Sequence, residues 1–238
     1  MGRTGKLVIV GVVVLVLALG GGYLLFASRT SDSPPPAALD PAPSTTAGPA
    51  AGTTGADTAA TPDGTWQVSD DGSSYVGYRV REQLAFLDSP NEAVGRSTAV
   101  TGTIEVAGDT VENVRIEADL TRLTSDESRR DNAIRLRGLE SERYPTATLE
   151  LAGPIKLAAA PVEGQELRGQ GRGRLTVHGV TREVALDLRG RWSGSTIQVV
   201  GQLPVRMSDY QIQPPRFGPV VAIEDAAAVD LSLVFVRA

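Results

Sequence analysis

From residue 65 onward, apolar and polar side chains alternate with a period of two, the pattern of half-buried β-strands. Val114, Ile116, Ala118 and Leu120 alternate with Asn113, Arg115, Glu117 and Asp119. Val184, Leu186, Leu188 and Trp192 share one face of the run 181–192, and Ala227, Val229, Leu231, Leu233 and Phe235 one face of the C-terminal run. Further strands are expected near 74–82, 97–107, 146–152, 167–178 and 195–206, divided by turn residues at Gly108-Asp109, Gly153-Pro154, Gly179 and Ser193-Gly194. About eight antiparallel strands, each dry on one face and wet on the other, predict an all-β domain, either a closed barrel or a two-sheet sandwich. One stretch breaks the alternation. Ser125-Asp126-Glu127 followed by SRRDNAIRLRG predicts a single helix, capped by Ser125, started on acidic residues and stopped by Gly138. Its apolar edge, Ile134, Leu136 and Leu139, suits it to cap one end of a barrel.

The N-terminal pattern is different in kind. Residues 7–26 form an uncharged run of Val, Leu, Ile, Ala and Gly. As a helix it is about 30 Å long, the thickness of a bilayer's hydrocarbon core. Arg3 and Lys6 precede it and only Arg29 closely follows. That asymmetry places residues 1–6 in the cytoplasm and the remaining chain outside the cell membrane. A cleaved signal peptide is the alternative; the run exceeds the usual apolar region of one, and no A-x-A precedes a plausible cut. Residues 27–64 are almost entirely Pro, Ala, Ser, Thr, Gly and Asp. With few bulky apolar side chains to bury, such a segment predicts a disordered linker, either a plain tether or a glycosylated stalk. The expected domain is thus 65–238.

Composition narrows the chemistry. Residues 1–64 hold three of the 23 Lys/Arg and four of the 28 Asp/Glu, leaving a net charge of −4 on the domain. That balance argues against a nucleic-acid partner. With no Cys and one His, the usual Zn ligand sets are out of reach, and stability rests on the core rather than on disulfides. No nucleophile and base sit at readable spacing, so neither catalytic nor metal-binding residues are assigned.

A series of short matches runs along the domain in order: Trp66; Ser74-x-Val76-x-Tyr78-x-Val80; Gly102-x-Ile104; Asp126 and Arg130-Asp131; Tyr144-Pro145-x-Ala147-x-Leu149; Leu175 to Val184; and Arg206-x-Ser208-Asp209-Tyr210. In these the domain resembles the YceI-like polyisoprenoid-binding family. The resemblance implies a lipocalin-like β-barrel holding a long isoprenoid chain. Two sites depart from the family pattern. Ala133 and Gly138-Leu139 stand where many relatives carry a His and an aromatic pair, and Gln211, followed by Pro214-Pro215, stands where a Gly is usual.

The expected function is a membrane-tethered, extracytoplasmic binding protein, with an isoprenoid lipid or quinone as ligand and no cofactor. The alternative is a non-enzymatic structural or interaction barrel with a filled interior, acting in the envelope or in stress response. Candidate ligand-binding residues are Val76, Tyr78, Val80, Ile104, Ile116, Gly171, Leu186, Trp192, Gly201 and Phe235. The inward glycines either leave room for the ligand chain or permit strand coiling; in the first case, filling Gly171 or Gly201 with Leu lowers lipid content and leaves the fold intact. Arg130 and Asp131 either hold a head group at the mouth or pin the helix to the rim. His178, alone in a turn, reads as a locally bonded side chain rather than a catalyst.

Overall fold

The computed structural model describes residues 33–41 and 61–238, apart from Phe86, Asp88 and Phe217. The expected membrane segment 7–26, the N-terminal residues 1–6 and the linker residues 27–32 and 42–60 lie outside the described residues. Among the described residues, no helix is long and apolar enough to cross a membrane.

The described residues form twelve strands in chain order: β1 (Gly64–Val68), β2 (Tyr75–Leu84), β3 (Asn91–Ser97), β4 (Val100–Ala107), β5 (Thr110–Asp119), β6 (Thr124–Ser125), β7 (Thr146–Leu151), β8 (Ile155–Lys156), β9 (Glu166–Val177), β10 (Val180–Ser193), β11 (Thr196–Arg206) and β12 (Val220–Arg237). Eight of them, β1-β4-β5-β7-β9-β10-β11-β12, close into an antiparallel ring, because β12 returns to pair with β1. The choice between barrel and sandwich is therefore settled as a barrel. The length of β12 makes the closure possible: its last residues pair with β1, while 220–232 pair with β2, to which β3 and β6 are added. The strand expected near 97–107 is β4, which starts at Val100 after Thr98-Ala99; β3, which precedes it, was not foreseen.

The dry faces foreseen from the alternation point inward. Trp66, Ile104, Ile116, Leu186, Leu203, Leu231, Leu233 and Phe235 all fall in one buried cluster. β9 and β10 are joined by a two-residue turn, His178-Gly179, with φ of +53° and +72°. Positive φ at both central residues gives the type I′ geometry that matches the twist of paired strands.

The helical run stops at Gly138 as expected but starts later and is capped differently. α1 spans Ser128–Ala133 and widens into a π-helical turn at Ile134–Gly138, closed by the Leu139 amide donating to the Ile134 carbonyl at 2.7 Å. The cap is the Glu127 carboxylate, which accepts from the Arg129 amide at 3.1 Å, and not Ser125. Ser125 belongs to β6, and its amide and hydroxyl donate to Asp131 at 2.9 and 2.6 Å.

Candidate functional site

The barrel encloses two apolar chambers. The first has about 160 Å³ open to the centre of a water-sized sphere. Its walls come from β2 (Val76, Tyr78, Val80), β5 (Ile116, Ala118), β11 (Leu203, Val205) and β12 (Ala227, Val229). Its roof is the π-helical turn with Leu139, together with Met207, Tyr210, Ile212 and Pro215 from the segment after β11. The second, at about 120 Å³, lies toward the other end, between Ile104, Ile155, Leu186, Trp192, Ile197 and Phe235. Ile116, Leu149, Leu231 and Leu233 line both chambers and form a waist between them.

The expected ligand-binding residues divide between the chambers. Val76, Tyr78 and Val80 lie in the first, Ile104, Leu186, Trp192 and Phe235 in the second, and Ile116 at the waist. Gly171 and Gly201 line neither chamber. A Cβ on Gly171 would come within 2.7 Å of Ile155 Cγ1, and one on Gly201 within 2.5 Å of Leu188 Cδ2. Neighbouring apolar side chains already lie across these glycines. Their missing side chains make room for Ile155 and Leu188, not for a ligand, and a Leu at either position forces the wall apart. The alternation of Ala147, Leu149 and Leu151 already marked Leu149 as inward. Ile155 and Leu157, reached through two-residue β8, and Ile212 and Pro215 carry no periodic signal.

At the rim of the first chamber sits a buried ionic knot. Glu82, at the inward end of β2, is 2% exposed, and its carboxylate accepts from Arg130 Nη2 at 2.7 Å and from Asn91 Nδ2 at 3.2 Å. Arg130, 6% exposed, also pairs with Asp126 and donates to the Ser125 hydroxyl at 3.3 Å. Burial works against the Arg130 charge, but the hydrogen bond and charge of Glu82, helped by Asp126, outweigh it and hold the guanidinium above its usual pKa. Asp131 is taken up by Ser125. Both residues thus tie the capping helix to the barrel, the pinning arrangement of the two foreseen.

Two phenols add polar points to an otherwise apolar lining. Tyr78 and Tyr210 line the first chamber with buried hydroxyls; that of Tyr78 lies toward the Ser125 side chain, and that of Tyr210 meets no hydrogen-bond partner among the described residues. Burial pushes the Tyr78 phenol far up, with Arg130 opposing. The Tyr210 phenol is also raised, by burial and then by the Asp209 charge. The Tyr78 ring lies flat over Gly95, where a Cβ would come within 2.3 Å of it. His178 supports this end of the barrel. Its Nδ1 donates to the Tyr210 carbonyl at 3.0 Å, its ring meets the Tyr144 ring at 4.6 Å, and Nε2 stands 3.5 Å from Glu140.

The two departures from the family pattern meet in the roof. An ideal Cβ on Gly138 would sit 3.4 Å from Pro215 Cδ, so the absence of a bulky residue there leaves the space Pro215 occupies. Gln211, in the position of the usual glycine, has φ of +58°.

A family model described as a YceI-like domain matches residues 66–235. No curated protein matches the chain. Among solved structures, a polyisoprenoid binding domain from Saccharophagus degradans, implicated in plant cell wall breakdown, superposes with a TM-score of 0.57 at 17% identity, covering 73% of this chain and 98% of that one. BcnA of Burkholderia cenocepacia gives a TM-score of 0.48 at 19% identity over 68% and 95%. A YceI protein of Campylobacter jejuni gives 0.41 at 14% identity over 58% and 82%.

Proposed function

The chain belongs to the YceI-like family, and on that premise we propose that its barrel holds the apolar chain of a polyisoprenoid or a prenylated quinone. The observation that carries this reading is the pair of apolar chambers that meet at Ile116, Leu149, Leu231 and Leu233. Burying apolar area yields about 25 cal/mol per Å², so a flexible chain threaded past the waist gains enough to offset its ordering. The polyisoprenoid binding named for the Saccharophagus degradans domain is in keeping with this reading, although at 17% identity the likeness shows the fold alone. The buried hydroxyls of Tyr78 and Tyr210 would take the polar head near the roof. The protein works by binding rather than by catalysis. It is carried outside the cell membrane by residues 7–26, for which the support is the length of the apolar run and the placing of Arg3 and Lys6 before it.

The experiment is extraction. The full chain, produced in a host that makes isoprenoids and freed of bulk membrane lipid, is extracted with organic solvent and the extract identified by mass spectrometry. A near-stoichiometric prenyl-chain species is expected. A clean extract, with no uptake of added geranylgeraniol or decylubiquinone, would refute the lipid-binding reading and favour the interaction barrel.

A further inference from the structure

Outside the lumen, the barrel wall carries a second feature. Asp230 lies on β12 between Val229 and Leu231, which face the chambers, and so points to the outer surface. Yet it is 0% exposed. Arg79 Nη2 reaches it at 3.3 Å and Arg96 Nη2 at 3.6 Å. Beside these arginines it meets the segment Pro35-Pro-Ala-Ala-Leu-Asp-Pro41, which composition alone assigns to a disordered linker.

This segment crosses the wall through groups on four strands. Arg96 Nη2 of β3 donates to the Pro35 carbonyl at 3.1 Å. The Ala37 amide donates to Asp230 Oδ1 of β12 at 3.4 Å. Gln198 of β11 makes a reciprocal pair with Asp40, accepting from its amide at 2.9 Å and donating to its carboxylate at 3.1 Å. Arg191 of β10 donates to the Asp40 carbonyl. Ala37 and Leu39 turn partly into the wall, whereas Pro36, Ala38 and Asp40 stay exposed. Such two-residue alternation belongs to an extended peptide seated on a surface. Three consecutive prolines fix φ before docking, which lowers the ordering cost that a Gly/Ser linker would meet.

We infer that the outer wall around Asp230 and Gln198 is a binding site for an extended, proline-rich peptide carrying an aspartate, and that residues 35–41 of this chain occupy it as a strap. The site is separate from the lumen and independent of any lipid. One consequence rests on the anchor proposed above: if residues 7–26 sit in a membrane, the chain between that segment and the strap is the eight residues 27–34, not 27–64. At about 3.6 Å per residue its reach is at most about 29 Å. The barrel is then kept close to the bilayer.

Amide hydrogen exchange on the full chain, read by mass spectrometry, tests the strap. The Ala37 and Asp40 amides, which donate to Asp230 and Gln198, should exchange at least tenfold more slowly than those of 42–60 in the same molecule. Gln198→Ala should bring them to the linker rate while the amides of β9 and β12 keep their protection, which separates loss of docking from loss of fold. Asp40→Ala, which leaves the barrel untouched, should do the same. Equal exchange of these two amides and those of 42–60 in the unsubstituted chain would overturn the inference, as would unchanged protection in both variants. Neither result bears on lipid content, so the strap and the lipid reading fail separately.

Discussion

Ala118 offers the sharpest test of the lumen. It lies on β5 with its side chain toward the first chamber and is 2% exposed. Across β7 it pairs with Ala147, which lines the same space, so Ala118→Phe enters an opening rather than a packed neighbour. A phenylalanine side chain presents about 150–250 Å². If it withdraws the lower figure from a bound chain, at about 25 cal/mol per Å² the loss is about 4 kcal/mol, nearly three decades in Kd. A chain that slides toward the second chamber recovers part of this, so the expected weakening is at least about 30-fold. The cost to the fold is at most about 1–3 kcal/mol, because the ring fills space already open. Titration calorimetry of the delipidated protein with geranylgeraniol measures the affinity, and urea unfolding measures the cost. Glu117→Gln, the outward neighbour on the same strand, should leave Kd unchanged. A folded Ala118→Phe protein that binds within about threefold of the original would mean that the first chamber does not hold the chain.

Four further outcomes follow from the same geometry. Arg130→Met leaves the Glu82 carboxylate buried without its partner and should cost about 3–5 kcal/mol in urea unfolding, whereas Glu82→Leu with Arg130→Met should recover most of it; a double variant as unstable as the sum of the singles would refute the pairing. Gly171→Leu and Gly201→Leu should each destabilise the fold, by about 1–3 kcal/mol or more, through Ile155 and Leu188; full stability with reduced lipid would restore the glycines as channel positions. Gln211→Gly relieves a left-handed φ worth about 1–2 kcal/mol, less a glycine's greater chain entropy of about 0.5–1 kcal/mol, and should stabilise by about 0.5–1 kcal/mol in the same assay; a loss of stability would contradict the left-handed geometry. Asp225 accepts from the Ser208 amide and hydroxyl at 2.8 Å each, which lowers its pKa below the ordinary 3.8. A depressed folded-state pKa adds stability that is full above the unfolded value and fades as pH falls through the folded one. Asp225→Asn should therefore lower the melting temperature at neutral pH, with the gap to the original closing below pH 3.8; a gap independent of pH would contradict the assignment.

The parts of this molecule that were legible in its sequence are those specified by neighbours in the chain. Period-two alternation needs only adjacent residues, and it placed Val76, Tyr78, Ile104, Ile116, Leu186, Trp192 and Phe235 on inward faces correctly. The glycines show where that reasoning stops. Whether the space above Gly171 is empty or filled depends on Ile155, delivered by a two-residue strand that has no period to detect. The helix carries the same lesson at longer range: Arg130 was visible as a charge on a cap, but its assignment turns on Glu82, 48 positions earlier, and β2's inward alternation offers no reason to expect a carboxylate there. The strap is the extreme case. Composition judges a segment by what it can bury alone, and by that measure residues 35–41 bury little. Their order on the wall comes instead from Arg96, Arg191, Gln198 and Asp230, which sit on four different strands and converge only once the barrel has closed.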